Sequence, residues 1–185
     1  MAMPDGAVLY DGIVLLAVSP WLAWLCRSDW KTRRLPNRLT LGGLAVALVF
    51  RLGFGGVAFL DGLGGMLVCG AFLLLPVLLR AAGSGDLKMI AACGAVAGFS
   101  DCLNFLLAMS LCGLALVIVM LATRAADGAR LKHYARSLFD WRYDRAAGRA
   151  ALPPKEAESV RVPFGIAIAA GLWLVLLLRC AKGWL

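Results

Sequence analysis

Long apolar runs separated by short polar ones organise this chain, and each run predicts one α-helix. The first covers residues 7–26, and residues 27–37 after it form a basic loop. The second covers residues 39–54, where Gly53, Gly55 and Gly56 mark a turn. The third begins at 57 or 62 and ends at 79; residues 80–85 form a glycine-containing loop, and a fourth helix starts near Asp86. The fifth lies within 102–123 and the sixth covers 162–178. A helix needs roughly 20 apolar residues to cross the ~30 Å hydrocarbon core, so the chain has room for about six transmembrane helices. The fourth run is short: Leu87 to Ser100 is 14 residues, or about 21 Å at ~1.5 Å per residue. Asp101 and Asn104 then interrupt it. Either a tight hairpin sits at residues 100–104, or the helix continues to about residue 107.

The one long polar stretch, residues 124–161, has a pattern of its own. Leu131, Tyr134, Leu138 and Trp141 recur at helical spacing with bases between them. That predicts a basic amphipathic helix lying on the inner leaflet, ended by Pro153-Pro154. The alternative is a solvated charged loop with incidental aromatics.

Composition agrees with a bilayer as solvent. The 185 residues are 62% hydrophobic, against about 45–50% in soluble domains even when glycine is counted. No length is left for a separate soluble domain, so residues 1–185 are expected to form one membrane-embedded domain. The net charge of +8 could suggest a nucleic-acid partner, but its distribution argues against one: 16 of the 19 Lys and Arg fall in residues 27–38, 80–88 and 124–161. Alternate polar segments are nearly free of bases, which is the positive-inside pattern of a multi-pass protein. Those three segments therefore face the cytoplasm. Asp5, Asp11, Asp61 and Asp101 face outward. The start of the chain carries Asp5 and no base, unlike a cleavable signal, so the first span is expected to be retained. The six cysteines form no CxxC pair and lie in or beside apolar runs, which reads as packing rather than a metal or disulfide framework.

Two carboxylates stand apart. Ionisable groups at the edge of an apolar span are costly and default to function. Asp86 stands in Gly83-Ser84-Gly85-Asp86, directly before an apolar run, and Asp29 lies a turn past the first span. Only these two join an inner loop directly to a span. The flanking glycines permit backbone angles and close approaches denied to other residues. Pro36 favours an extended residue before it, and Asn37 is placed to cap the second helix. Being 57 positions apart, the two aspartates can meet only if two spans pack with their cytoplasmic ends together. Two carboxylates held close cannot both ionise comfortably and share a proton. The ionised member can then take a proton from water attacking a peptide carbonyl while the protonated member donates to the carbonyl oxygen. The helix dipole at Asp86 favours its charged form, which makes Asp29 the expected proton holder.

Other hydrolytic routes find little support. His133 is the sole histidine and has no matching Ser or Cys constellation; no Glu lies in a span, so a His- or Glu-rich metal site is not expected. Asp86 would repel a phosphate from the glycine loop, and no GK[ST] follows. Neither a cofactor nor a metal is expected.

Three blocks together resemble the type IV prepilin peptidases, the GxGD class of membrane aspartyl proteases. They are Asp29 followed by Leu35-Pro36-Asn37-Arg38-Leu39-Thr40; Gly83-Ser84-Gly85-Asp86-Leu87-Lys88; and Arg161-Val162-Pro163-Phe164-Gly165 before the last span. The resemblance implies that Asp29 and Asp86 are the catalytic pair, with Lys88 a supporting position beside Gly83, Gly85, Pro36 and Asn37. It implies an all-α integral membrane peptidase in the bacterial inner membrane that removes a basic leader from prepilin-like precursors at the cytoplasmic face. Larger members carry an N-terminal region with paired CxxC motifs linked to N-methylation. This sequence has no such motifs, so it resembles the short, peptidase-only form serving tight-adherence or Flp-type pili. The rival expectation is a non-catalytic multispanning scaffold of a pilus or secretion system, in which an Asp at a helix start is only a cap. Which precursor is bound and the oligomeric state are not encoded in any of these features.

Overall fold

The computed structural model describes residues 6–32, 35–78, 83–123 and 163–182. These residues form six α-helices and no strand: α1 (Gly6–Thr32), α2 (Asn37–Leu52), α3 (Gly56–Leu78), α4 (Ser84–Ala97), α5 (Cys102–Ala122) and α6 (Phe164–Lys182). Three of them, α3, α5 and α6, are long and apolar enough to cross a membrane. The chain divides into two compact units, residues 1–114 with 163–185, and residues 115–162. The second is described only as the end of α5. The interfacial helix expected near residues 131–141, His133, Arg80 and the Arg161-Val162 pair lie outside the described residues.

The helices differ from the apolar runs where polarity and helicity part company. Residues 27–32 were expected as loop but continue α1 to Thr32. They contain neither Gly nor Pro, and helix propensity does not require apolar side chains. The Thr32 hydroxyl donates to the Ser28 carbonyl at 2.8 Å, in register with the helix. Asp29 therefore stands on α1 rather than beyond it. Pro36 is extended (φ −69°, ψ 125°) and α2 starts directly after it.

The fourth helix resolves in favour of a hairpin, slightly earlier than expected. Its last residue is Ala97, and Gly98 adopts φ +87°, a left-handed conformation that glycine takes without a Cβ penalty. Its N–H still bonds the Gly94 carbonyl at 2.8 Å. Asp101 directly precedes α5: its backbone carbonyl accepts from the Phe105 N–H at 2.9 Å and its carboxylate from the Asn104 amide at 2.8 Å. With only 14 residues, α4 falls short of the ~30 Å hydrocarbon core. It is instead buried among its neighbours: Met89, Ile90, Ala92, Cys93, Gly94, Ala95 and Ala97 are all buried, and α2, α3 and α6 pack around it. Lipid tails are as apolar as leucine, so such a bundle relies on close backbone approach and polar contacts rather than on the hydrophobic effect alone. Glycines supply the approach. A Cβ on Gly94 would sit 2.7 Å from the Cys69 Cβ of α3, and one on Gly171 of α6 would sit 2.6 Å from the Met109 Cα of α5.

Polar contacts fix the far end of α4. Arg51, at the end of α2, is only 8% exposed. It pairs with Asp61 of α3 at 2.7 Å and donates to the Ala58 and Val96 carbonyls at 3.2 and 2.9 Å. Asp61 also accepts from the Ser100 backbone N–H and hydroxyl at 3.1 and 2.8 Å. Arg179 of α6 donates to the Asp101 carboxylate at 2.7 Å and to the Ala97 carbonyl. Two guanidinium groups thus satisfy carbonyls at the C-terminal end of α4, where the helix dipole is negative. The opposite ends of α2, α4 and α6 converge with the end of α1, and there the conspicuous carboxylates lie.

Candidate active site

Asp29 is carried by the polar extension of α1 and is 6% exposed. Its Oδ2 accepts a hydrogen bond from the backbone N–H of Gly165 at 2.9 Å, across 136 positions. Gly165 lies in the first turn of α6, where backbone N–H groups have no intrahelical acceptor. Pro163 just before the helix has no N–H to offer, and its carbonyl accepts from Ile166 at 3.2 Å. A Cβ on Gly165 would sit 2.8 Å from Asp29 Oδ2. Only a residue without a side chain lets α6 approach the carboxylate this closely.

Asp86 is the third residue of α4, and its Oδ2 accepts from the Gly83 backbone N–H at 3.3 Å. Gly83 is extended (φ −80°, ψ 145°), so the motif glycines do not serve left-handed backbone here. They serve close approach. A Cβ on Gly83 would sit 3.1 Å from Asp86 Oδ2, and one on Gly85 would sit 3.2 Å from the Cβ of Leu35. Gly85 therefore lets the Leu35-Pro36 connection lie against the first turn of α4.

Asn37 differs from expectation. It is the first residue of α2 rather than its cap, and Pro36 in the cap position makes no side-chain cap bond. Instead the Asn37 Oδ1 accepts from Lys88 Nζ at 2.8 Å, tying the start of α2 to the first turn of α4. Pro36 contributes its carbonyl, which accepts from the Leu39 and Thr40 N–H groups at 3.0 and 3.2 Å. Of the five supporting positions, Gly83 bonds Asp86 directly and Lys88 and Asn37 meet each other between α4 and α2, while the contact of Gly165 with Asp29 went unassigned. Its only sequence signal was the Pro163-Phe164-Gly165 block ahead of the last helix.

The two carboxylates are brought within electrostatic reach of each other. Asp86 stands before the apolar run that opens at Leu87. Burial is the main cause that pushes its carboxyl up to about 6, the charge of Asp29 adds to the rise, and the Gly83 N–H opposes it. Around pH 6 such a pair can hold one proton between two acids, the arrangement suited to acid–base activation of water.

Residues 16–118, which include both aspartates, match the model of the type IV leader peptidase family. Over 134 residues, 68% of this chain, the sequence is 31% identical to a prepilin leader peptidase/N-methyltransferase of Pectobacterium carotovorum subsp. carotovorum. The match covers 46% of that relative, so the chain spans about half the length of the curated protein it resembles. No solved structure matches the chain.

Proposed function

The chain belongs to the type IV leader peptidase family, and on that premise we propose that it is a membrane aspartic endopeptidase. It cleaves the basic leader from prepilin or pilin-like precursors. Asp29 and Asp86 are the reacting carboxyls, and water is the nucleophile. The observation that carries the reading is the pairing itself. Two aspartates from separate family blocks, 57 positions apart, share one end of the bundle and feel each other's charge. A structural cap at a helix start accounts for one such aspartate but not for their convergence.

On this reading the six helices form one multi-pass peptidase domain in the bacterial inner membrane. The basic segments at residues 27–38, 80–88 and 124–161 put the dyad at the cytoplasmic face. Gly83, Gly85, Lys88, Pro36 and Asn37 position Asp86, and no cofactor takes part. The curated relative also bears the name of an N-methyltransferase. For this chain cleavage alone is proposed, with pilin-like precursors as the substrates.

Co-expression with a pilin precursor tests it. Asp29→Ala and Asp86→Ala are each expected to leave the precursor uncut while the variant protein still accumulates in the membrane fraction. Processing by either variant at the rate of the native chain would remove the dyad from consideration.

A further inference from the structure

The surroundings of the two carboxyls are unequal. Asp29 is almost sealed from solvent, yet it is aimed at a backbone N–H at the positive end of a 19-residue helix. A charge-assisted bond of this kind favours the ionised carboxylate, and the N-terminal dipole of α6 adds to it. Among the described residues, Asp86 has only the longer, 3.3 Å bond from Gly83, made within its own helix turn. Its carboxyl also faces the charge of Asp29.

The remaining named groups do not reverse this ordering. On α1 itself the Cys26 thiol faces Asp29. Lys88 on α4 is turned to Asn37 of α2. From α6 the contact on Asp29 is the Gly165 backbone. The C-terminal end of α1 opposes ionisation of Asp29 through its own dipole, but that effect spreads over several carbonyls. The Gly165 bond is direct, at 2.9 Å.

We infer that the first turn of α6 divides the labour of the dyad: Gly165 holds Asp29 as the ionised general base, and Asp86 is the proton donor. This assignment rests on the peptidase reading above and reverses the one expected from the position of Asp86 at a helix start. In the forward step Asp29 takes a proton from water as the water oxygen bonds to the scissile carbonyl carbon. Asp86 gives its proton to the carbonyl oxygen, leaving a neutral gem-diol. In the second step the C–N bond breaks and Asp29 returns its proton to the departing nitrogen. Asp86 recovers a proton from one diol hydroxyl, leaving the carboxylic acid product. One water is consumed, and both aspartates end as they began. Gly165 is a positioning residue; it touches no reacting atom and acts through Asp29.

Infrared titration of the carboxyl C=O stretch, on the purified full-length chain in detergent, tests the assignment without reference to cleavage. In Asp86→Asn the remaining Asp29 is expected to titrate at least about one pH unit below Asp86 in Asp29→Asn, a gap of the size that hydrogen bonding to the charged form produces. Adding Gly165→Ala to Asp86→Asn is expected to raise the Asp29 midpoint, since the new Cβ displaces the carboxylate from its N–H. Equal midpoints, or Asp29 titrating above Asp86, overturn the division of labour even if both aspartates prove essential for cleavage. If the order is as expected but a folded Gly165→Ala variant leaves the Asp29 midpoint unmoved, α6 is not its cause and the role of Gly165 is overturned. The Asn variants alone decide the ordering if Gly165→Ala does not fold.

Discussion

At the scale of single residues, the site is built from missing side chains as much as from present ones. Gly165 and Gly85 each leave out a Cβ at a contact, one facing Asp29 and the other Leu35. Gly85→Val is expected to abolish processing by pushing the Leu35-Pro36 connection off the first turn of α4. Leu35→Gly in the same chain removes the Cβ that the new side chain meets and is expected to restore part of it, measured as the fraction of precursor cleaved. Recovery by the double variant would not occur if Gly85 served backbone conformation alone. Asp86 makes a second, thermodynamic prediction. Its carboxyl has an ordinary value of 3.8 and lies at about 6 in the fold, so the folded chain holds the proton more tightly. The stability this contributes is complete below the unfolded value and is lost as pH rises through about 6. Asp86→Asn is therefore expected to raise Tm at pH 7.5 and to converge with the native chain near pH 4. A lower Tm for the variant at both pH values would mean that Asp86 stabilises the fold rather than straining it.

At the scale of helices, the far end of α4 governs where the near end lies. Arg51 and Arg179 tie the last carbonyls of α4 to α2 and α6, the same two helices whose other ends reach the site through Asn37 and Gly165. Arg51→Ala removes the guanidinium from the partly exposed Asp61 carboxylate, which keeps its Ser100 bonds, and is expected to cost about 2 kcal/mol, the size of a lost charged hydrogen bond. Thermal unfolding in detergent measures it. Replacing both partners with apolar residues, Arg51→Met with Asp61→Leu, is expected to recover much of that loss, because no uncompensated charge is left.

This scale also shows what could be read from the sequence. Apolar runs located the six helices of the described residues because apolar length follows directly from the sequence. They missed the extension of α1, since residues 27–32 are polar yet helical. They left the end of α4 open, since a 14-residue run flanked by polar groups fits a hairpin or a continuation equally well. Gly98 and its φ of +87° made the difference. Asp29 and Asp86 stood out as charges beside apolar runs. The Gly165 contact did not, because it depends on how α1 and α6 pack across 136 positions, and no local pattern encodes a distance between helices.

At the scale of the molecule, a short helix buried in a bundle carries Asp86 while longer apolar helices surround it. Exposed Leu74, Leu75 and Leu78 on α3, with Leu103, Leu107 and Leu111 on α5, give those helices outward faces suited to lipid. Cysteine accessibility tests the topology. Single cysteines at residues 31 and 88, in a chain cleared of its own cysteines, are expected to react with a membrane-impermeant maleimide only in inverted vesicles. One at residue 55 is expected to react from the opposite side. Labelling of residues 31 and 88 from opposite sides would separate the two carboxylates and end the account of a shared site.

The most direct measurement uses purified full-length protein in nanodiscs and a pilin precursor with its leader. The native chain is expected to release the leader. Asp29→Asn and Asp86→Asn are each expected to lower the rate at least 1,000-fold, roughly the loss that follows removal of an essential acid or base, while Tm remains at or above the native value for Asp86→Asn. Cleavage at the native rate by either variant, or no cleavage by the native chain of any leader-bearing precursor, would mean that Asp29 and Asp86 are not the reacting pair of a leader peptidase.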